Sequence, residues 1–298
     1  MTSAKAQARL RTAVRYIVLS LFAFASLFPF YWMFTTSLKT PLEWVSYPPT
    51  WFPEKPNVDS YIFLLGPSGH YFSSLFGYQI MPGGPSWASV KPIFDNIILS
   101  GLGAILTVLL AVPASYSLSR YRRGENQLLL FIMLFEMIPQ FALLVPLVIF
   151  FSTLQLIDTY LGMTLGYTVF TLPLAIWFLK GFFDAIPKEI DEAALTDGCT
   201  RLQVLYKALL PLLRAGLSVT TLFVFILNWS DLSLELGLVL SHGRVTTIPA
   251  YMAGLLGVAG QLYGPMSALG TIAVIPVFAF GLAIQKYLVR GFTSGAIR

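Results

Sequence analysis

The chain has one cysteine, Cys199, and two histidines, His70 and His242, among 298 residues. A single thiol cannot close an intrachain disulfide, and two scattered imidazoles do not supply the ligand set of a zinc hydrolase. Charge is scarce too, with Asp, Glu, Lys and Arg making up only 11% of the chain. No Gly-x-x-x-x-Gly-Lys-Ser/Thr stretch occurs, so the chain lacks the phosphate-cradling loop that nucleotide hydrolysis requires. No nucleophile motif accompanies His242, which argues against a Ser/His/Asp enzyme.

Apolar side chains are abundant instead: 56% of residues are hydrophobic and the mean hydropathy is +0.73. A water-soluble fold of this composition could not cover its surface with polar groups, so lipid is the solvent for most of it. A helix crossing the hydrocarbon layer needs about 20 mainly apolar residues. Six such runs occur, over 14–34, 93–118, 128–154, 160–179, 215–240 and 265–288. The expectation is an all-α membrane protein with six transmembrane helices. Prolines 113, 139, 146, 173 and 276 fall inside these runs. A lipid-facing helix tolerates them only where neighbours re-satisfy the freed carbonyls, as in a kinked, packed bundle, although proline is also simply common in membrane helices. Arg9, Arg11 and Arg15 resemble a charged leader, yet the apolar run after them is too long for a signal peptide and Ser37-Leu38-Lys39 offers no small-x-small cleavage site. The first run is expected to be a retained anchor, preceded by a cytoplasmic segment over 1–13.

With the amino terminus in the cytoplasm, six spans return the carboxyl terminus there as well. Lys5, Arg9, Arg11, Arg15, Arg120, Arg122, Arg123, Lys180, Lys188, Arg201, Lys207, Arg214, Lys286, Arg290 and Arg298 then lie inside, leaving only Lys39, Lys55, Lys91 and Arg244 outside. This is the positive-inside bias of an inserted protein, and it places the +5 net charge beside anionic headgroups instead of nucleic acid. Between the first two spans lies an external loop, 37–92, rich in Pro, Gly and aromatics such as Trp44, Trp51, Tyr61, Tyr71, Phe72, Phe76, Tyr78 and Trp87. It is expected to form a cap with little regular structure. Two readings of it stand: a docking surface for an external partner, or an aromatic belt resting on headgroups.

The cytoplasmic loop 184–214 carries helical punctuation. Pro187 suits a first helical turn, and Ile186, Ile190, Ala193 and Ala194 follow at the spacing of one helix face. Asp197-Gly198 breaks that helix. Thr200 with Gln203 forms a capping box for a second helix, in which Leu202, Leu205 and Leu209 share a face until Pro211 stops it. Basic Lys188, Arg201 and Lys207 suit a pair of helices lying on the bilayer. The acidic residues Glu189, Asp191, Glu192 and Asp197 would be repelled there, and a protein partner accounts for them better.

Glu192-Ala193-Ala194, Gly198 and Leu210-Pro211 reproduce, at its full spacing, the EAA signature of ABC-importer permeases, with Ala208 standing where a larger aliphatic residue is usual. The likeness covers nearly the whole chain and most resembles the smaller permease of maltose-type sugar importers. Ser37-Leu38-Lys39, Asn228-Trp229-Ser230-Asp231 and the stretches Gln285-Lys286-Tyr287 and Gly291 to Ile297 belong to it, while Phe292, Arg298 and Arg214-Ala215 are variants. The resemblance implies a type I ABC importer permease fold with cytoplasmic coupling helices, the transmembrane domain running over 14–298 in a bacterial or archaeal inner membrane. It also implies partners: a second homologous permease, two ATP-binding-cassette ATPases that use ATP and Mg, an external solute-binding protein, and a sugar or oligosaccharide as cargo. The resemblance further implies that this chain binds no cofactor itself and is not an enzyme. Glu192, Ala193, Ala194, Asp197, Gly198, Leu210 and Pro211 are the expected coupling residues. Another polar solute, such as glycerol phosphate or an acidic oligosaccharide, is the alternative cargo. An ion-coupled secondary carrier is the alternative outside the class, but it needs no EAA loop, and the inverted repeats typical of such carriers are not evident.

Charged groups inside spans are expensive and mark cavities or partners. Glu136 in the third run, and Asp231 and Glu235 at i and i+4 in the fifth, are candidates for a translocation path together with Gln140, Asn228 and Trp229. Carboxylates and amides there would accept sugar hydroxyls while the indole stacks on a pyranose. The competing reading places Glu235 at the external interface and has Glu136 pair with the second permease.

Overall fold

A computed structural model of the chain describes residues 2–65, 87–121, 125–239, 244–257 and 260–294. His70, His242, Tyr71, Phe72, Phe76, Tyr78, Arg122, Arg123 and the final residues 295–298 lie outside the described residues. The described backbone is almost entirely helical, with one antiparallel pair of two-residue strands, β1 (Leu256–Gly257) and β2 (Gly260–Gln261).

In chain order the helices are α1 (Thr2–Ser37), α2 (Pro41–Trp44), α3 (Asp59–Leu65), α4 (Trp87–Arg120), α5 (Glu125–Glu136), α6 (Gln140–Thr153) and α7 (Tyr160–Asp184). There follow α8 (Glu189–Thr196), α9 (Arg201–Gln203) running into a π turn (Val204–Leu209), α10 (Leu210–Leu212), α11 (Arg214–Ser230), α12 (Ser233–Leu238), α13 (Ile248–Gly254) and α14 (Tyr263–Ser294). Four helices can each cross a membrane by length and composition: Arg9–Ser37, Val90–Arg120, Tyr160–Asp184 and Tyr263–Gln285. Two bent pairs bring the number up to six where each is counted as one span.

Two of the expected runs are broken in the structure. The third is not one rod: α5 and α6 meet at 89°, and Pro139 sits at the break as the residue preceding α6 instead of inside a helix. Proline cannot donate to the preceding turn, and here the backbone turns instead of kinking. The fifth run stops early. α11 is 17 residues long and ends at Ser230, because Asp231 is extended at ψ 128°. Asp231 and Glu235 therefore do not share a helix face; the Asp231 carboxylate instead accepts the backbone N–H of Leu234 at 2.9 Å, capping α12.

The chain divides into two compact units. The first takes Met1–Ser89 with Gly254–Val274. In it the loop after α1 folds back on the aromatic end of that helix: Tyr31 donates to the Trp51 carbonyl at 2.7 Å, and Trp51 lies 6.0 Å from Phe28 and 5.9 Å from Trp32 between ring centroids. Lys39 is buried, donates to the Thr50 carbonyl and lies 4.2 Å over the Trp32 ring. The described part of the external segment is thus better ordered than the composition implies, with two short helices. Glu43 accepts from the Thr40 backbone at 2.7 Å and from the Glu54 backbone at 2.6 Å, fixing that loop.

The second unit takes Val90–Ala253 with Ile275–Arg298. Its core forms where α4, α6, α7 and α12 bring Leu99, Phe151, Met163, Tyr167, Leu234 and Leu238 together. α7 packs on α5, α11 and α12, so it is the central element of this unit. It starts at Thr159, whose hydroxyl accepts the Gly162 N–H at 3.0 Å. Close approach between α4, α7 and α11 depends on Gly103: a Cβ there would lie 2.7 Å from the Asn228 amide nitrogen and 3.1 Å from the Tyr167 Cβ.

Candidate functional site: the 184–214 loop and the polar ends of the helices

The loop after α7 folds as two short helices around a glycine turn. α8 begins at Glu189, with Pro187 just ahead of it, and three acids in its first turn suit the positive end of the helix dipole. Its end is a Schellman turn: Cys199 N–H bonds to the Ala194 carbonyl and Gly198 N–H to the Leu195 carbonyl, each at 3.0 Å. Gly198 has φ +85°, the left-handed region that a side chain penalises. Space above it is open, with nothing within 4 Å of a Cβ. Next, Thr200 and Gln203 close the capping box, Thr200 N–H to the Gln203 side chain at 2.8 Å and Gln203 N–H to the Thr200 hydroxyl at 3.3 Å.

Three details differ from the sequence reading. Ala193 is exposed, and the inward face of α8 is made by Asp191, Ile190 and Ala194, because the helix starts too late to include Ile186. Leu202 is exposed while Val204, Leu205 and Leu209 are buried, since the π winding shifts the register of the second helix. Pro211 does not end that helix either. The run continues to Leu212, the widened turn before the proline relieving its clash with the preceding carbonyl, and an 82° bend at Leu213 leads into α11.

The outward surface of the loop carries Glu189, Glu192, Ala193, Asp197 and Gly198, with Leu195 and Leu202 exposed beside them. Leu210 is half-buried and Pro211 exposed. Asp191, counted among the acids by sequence, faces inward to an ion pair with Arg120 at the end of α4. Both side chains are nearly buried, at 6% and 11% exposure, so removing one partner leaves an uncompensated charge at a cost of about 3–5 kcal/mol. Arg120 also donates to the Ile186 carbonyl at 3.2 Å, and Ser119 donates to Asp184, which pairs with Lys180 at 2.7 Å. The Arg201 guanidinium lies 4.8 Å over the Tyr121 ring.

The intramembrane candidates separate into two groups. Glu136 is exposed and Gln140 half-buried, on either side of the α5–α6 break. Asn228, Trp229, Asp231 and Glu235 gather where α11 gives way to α12. Trp229 stacks on Phe225 at 5.5 Å, and its carbonyl accepts from the Asn96 amide at 3.1 Å. Asn228 is 1% exposed and packs at Gly103. Asp231 is half-buried. Glu235 is buried, accepting from the Tyr167 hydroxyl at 2.9 Å and from the Ala250 N–H at 3.0 Å.

Two carboxylates that the sequence did not single out act with Glu235 on the segment 244–250. Asp158 accepts the N–H groups of Arg244 and Val245 at 2.6 and 3.1 Å. Asp95 accepts the Thr246 N–H at 2.9 Å and the Tyr160 hydroxyl at 2.6 Å, and pairs with Lys91. Asp95 lies inside the expected second run, 93–118, so the cost of a charge within a span was the signal available for it; nothing local in the sequence marks Asp158 or Arg120.

Comparison with known proteins places this architecture. Residues 103–294 match the family described as binding-protein-dependent transport system inner membrane component. A trehalose/maltose transport system permease of Thermococcus litoralis is 32% identical over 93% of this chain and 94% of its own length. A diacetylchitobiose uptake system permease of Streptomyces coelicolor is 29% identical over 91% of each chain. A sulfoquinovosyl glycerol transport system permease of Agrobacterium fabrum is 29% identical over 96% of this chain and 93% of its own. In fold, the chain resembles one from a bacterial ABC transporter involved in import of the acidic polysaccharide alginate, with TM-score 0.67 and 20% identity over 94% of this chain and 97% of that one. With its apolar spans and its EAA loop, the chain belongs to the inner membrane components of binding-protein-dependent transport systems.

Proposed function

We propose that this chain is the permease half through which a sugar or oligosaccharide enters the cell, driven by ATP hydrolysis in a separate cassette subunit docked on the 184–214 loop. The observation that carries the reading is the Gly198 turn: two short helices joined through a left-handed glycine and a capping box, with Glu192, Ala193 and Asp197 outward and open space at the glycine. A helix so placed transmits displacement as a rigid body, small residues let a partner approach, and the acids offer acceptors to cationic or amide donors. The names of the relatives, which specify trehalose/maltose and diacetylchitobiose, support a carbohydrate cargo.

In this reading the partners are a second permease, two ATPases that use ATP and Mg, and an external binding protein, with both termini of this chain in the cytoplasm. Glu136, Gln140 and Asp231 line the path, and the buried Asn228, Trp229 and Glu235 hold its wall. Replacement of Gly198 by valine forces a branched side chain into left-handed backbone and into the docking space. Complexes reconstituted in proteoliposomes with this variant are expected to insert and hydrolyse ATP while uptake of labelled maltose or trehalose is lost; unchanged uptake counts against the docked-lever reading. For the path, a cysteine at position 231 in a Cys199→Ser background is expected to react with a small aqueous thiol reagent in the outward-open complex, and inertness removes Asp231 from it.

A further inference from the structure

Residues 119–121, at the end of α4, touch the coupling loop at every stage. Ser119 holds Asp184 at its start; Arg120 holds the Ile186 carbonyl and then Asp191 within α8; Tyr121 lies under Arg201 at the start of the second helix. The contacts differ in kind, being a hydroxyl bond, a nearly buried ion pair with an added carbonyl bond, and a cation–π contact, yet they converge on one turn of one spanning helix. The Tyr116 ring, one turn earlier, adds packing against Phe183 at 5.7 Å between centroids.

From this geometry we propose that Arg120 is the positioning residue that ties the coupling loop to the α4 span, so that displacement of α8 is delivered to α4 as well as through the chain to α7 and α11. The proposal rests on the reading that an ATPase docks on this loop. The backbone joins α8 to α7 and, through the second helix, to α11, but α4 precedes the loop by two spans and has no covalent share in its movement. Arg120 supplies the missing link. The guanidinium suits this role because its planar fork holds the Asp191 carboxylate and the Ile186 carbonyl together, whereas an ammonium is a point charge. Near-burial keeps the pair from being screened by salt. The outward acids Glu189, Glu192 and Asp197 are left for a partner because Asp191 alone is turned inward.

The test is a charge-pair cycle in the whole complex, reconstituted in proteoliposomes, reading labelled maltose imported per ATP hydrolysed. Arg120→Gln is expected to leave ATP hydrolysis running while the import-to-hydrolysis ratio falls on the order of tenfold. Arg120→Lys, which keeps the charge and loses the fork, is expected to fall between the two. The swap of Arg120→Asp with Asp191→Arg is expected to recover most of the ratio, a rescue that loss of general stability would not give. If Arg120→Gln fails to assemble, the lysine variant and the swap decide alone. An unchanged ratio in the assembled single variants, or no recovery in an assembled swap, overturns the proposal. A cysteine at position 193 cross-linked to the ATPase provides the control for the underlying reading. Cross-linking with an unchanged ratio sinks only the Arg120 link, and absence of cross-linking in the otherwise unaltered complex sinks both.

Discussion

At the scale of single residues, two glycines are required for different physical reasons. Gly198 is required by its own backbone, because φ +85° is costly for a side chain even where space is open. Gly103 is required by its neighbours, since a methyl group there meets Asn228 and Tyr167 inside the contact distance of real side chains. The Asn228 amide can shift, but the Tyr167 Cβ is fixed by its helix. Gly103→Ala is expected to destabilise the second unit by about 1–3 kcal/mol, seen as a lower midpoint in thermal unfolding of the purified protein in detergent. Adding Asn228→Ala is expected to recover part of that loss, and strict additivity of the two changes would show that they do not meet. The glycine turn at 198 was legible in the sequence because Asp-Gly after an amphipathic stretch is a local signal. Gly103 was not, because the reason for it lies on two other helices.

At the scale of elements, the segment 244–250 lacks regular structure until α13 and is held by carboxylates on three different helices or helix ends, namely Asp95, Asp158 and Glu235. A carboxylate receiving backbone N–H groups satisfies donors that a loop leaves orphaned, and it does so more strongly than a neutral acceptor. Asp158→Gly keeps the left-handed backbone at φ 57° while removing both acceptor contacts to Arg244 and Val245. The expected cost is roughly 1–3 kcal/mol for the buried Val245 N–H, since the exposed Arg244 N–H can turn to water, with faster tryptic cleavage after Arg244 than in the unaltered protein. Equal cleavage rates would mean that the clasp is held by Asp95 and Glu235 alone. The element pattern explains the error over the fifth run: continuous hydrophobicity from 215 to 240 reads as one helix, yet Asp231 offers its side chain to the Leu234 N–H and restarts the chain as α12.

For the whole molecule, six apolar runs and the distribution of Lys and Arg predict a topology that labelling can check. In a Cys199→Ser background, a cysteine at position 55 is expected to react with an impermeant thiol reagent added to intact cells. One at position 207 is expected to react only after permeabilisation, and the reverse pattern would invert the proposed orientation. The two bent pairs give the chain two sharp corners, one beside Glu136 and Gln140 and one where the 184–214 loop enters α11. Neither bend is visible in composition, since the apolar run continues through the first and the loop's leucines continue to the second.

The amino-acid sequence by itself determined the apolar runs, the two short helices of the 184–214 loop, the capping box at Thr200 and the left-handed turn at Gly198. Each depends on residues close together in the chain, through hydropathy over a span length or hydrogen bonds between near neighbours. Tertiary structure alone decided which acids face outward and which are consumed: Asp191 by Arg120, Glu235 by Tyr167 across 68 residues, and Asp95 by the Thr246 backbone across 151. A carboxylate looks the same in sequence whether it awaits a partner or already has one. Only tertiary packing, of α4 against the elements that follow it and of α7 against α12, brings the donors within reach and makes burial of the charge affordable.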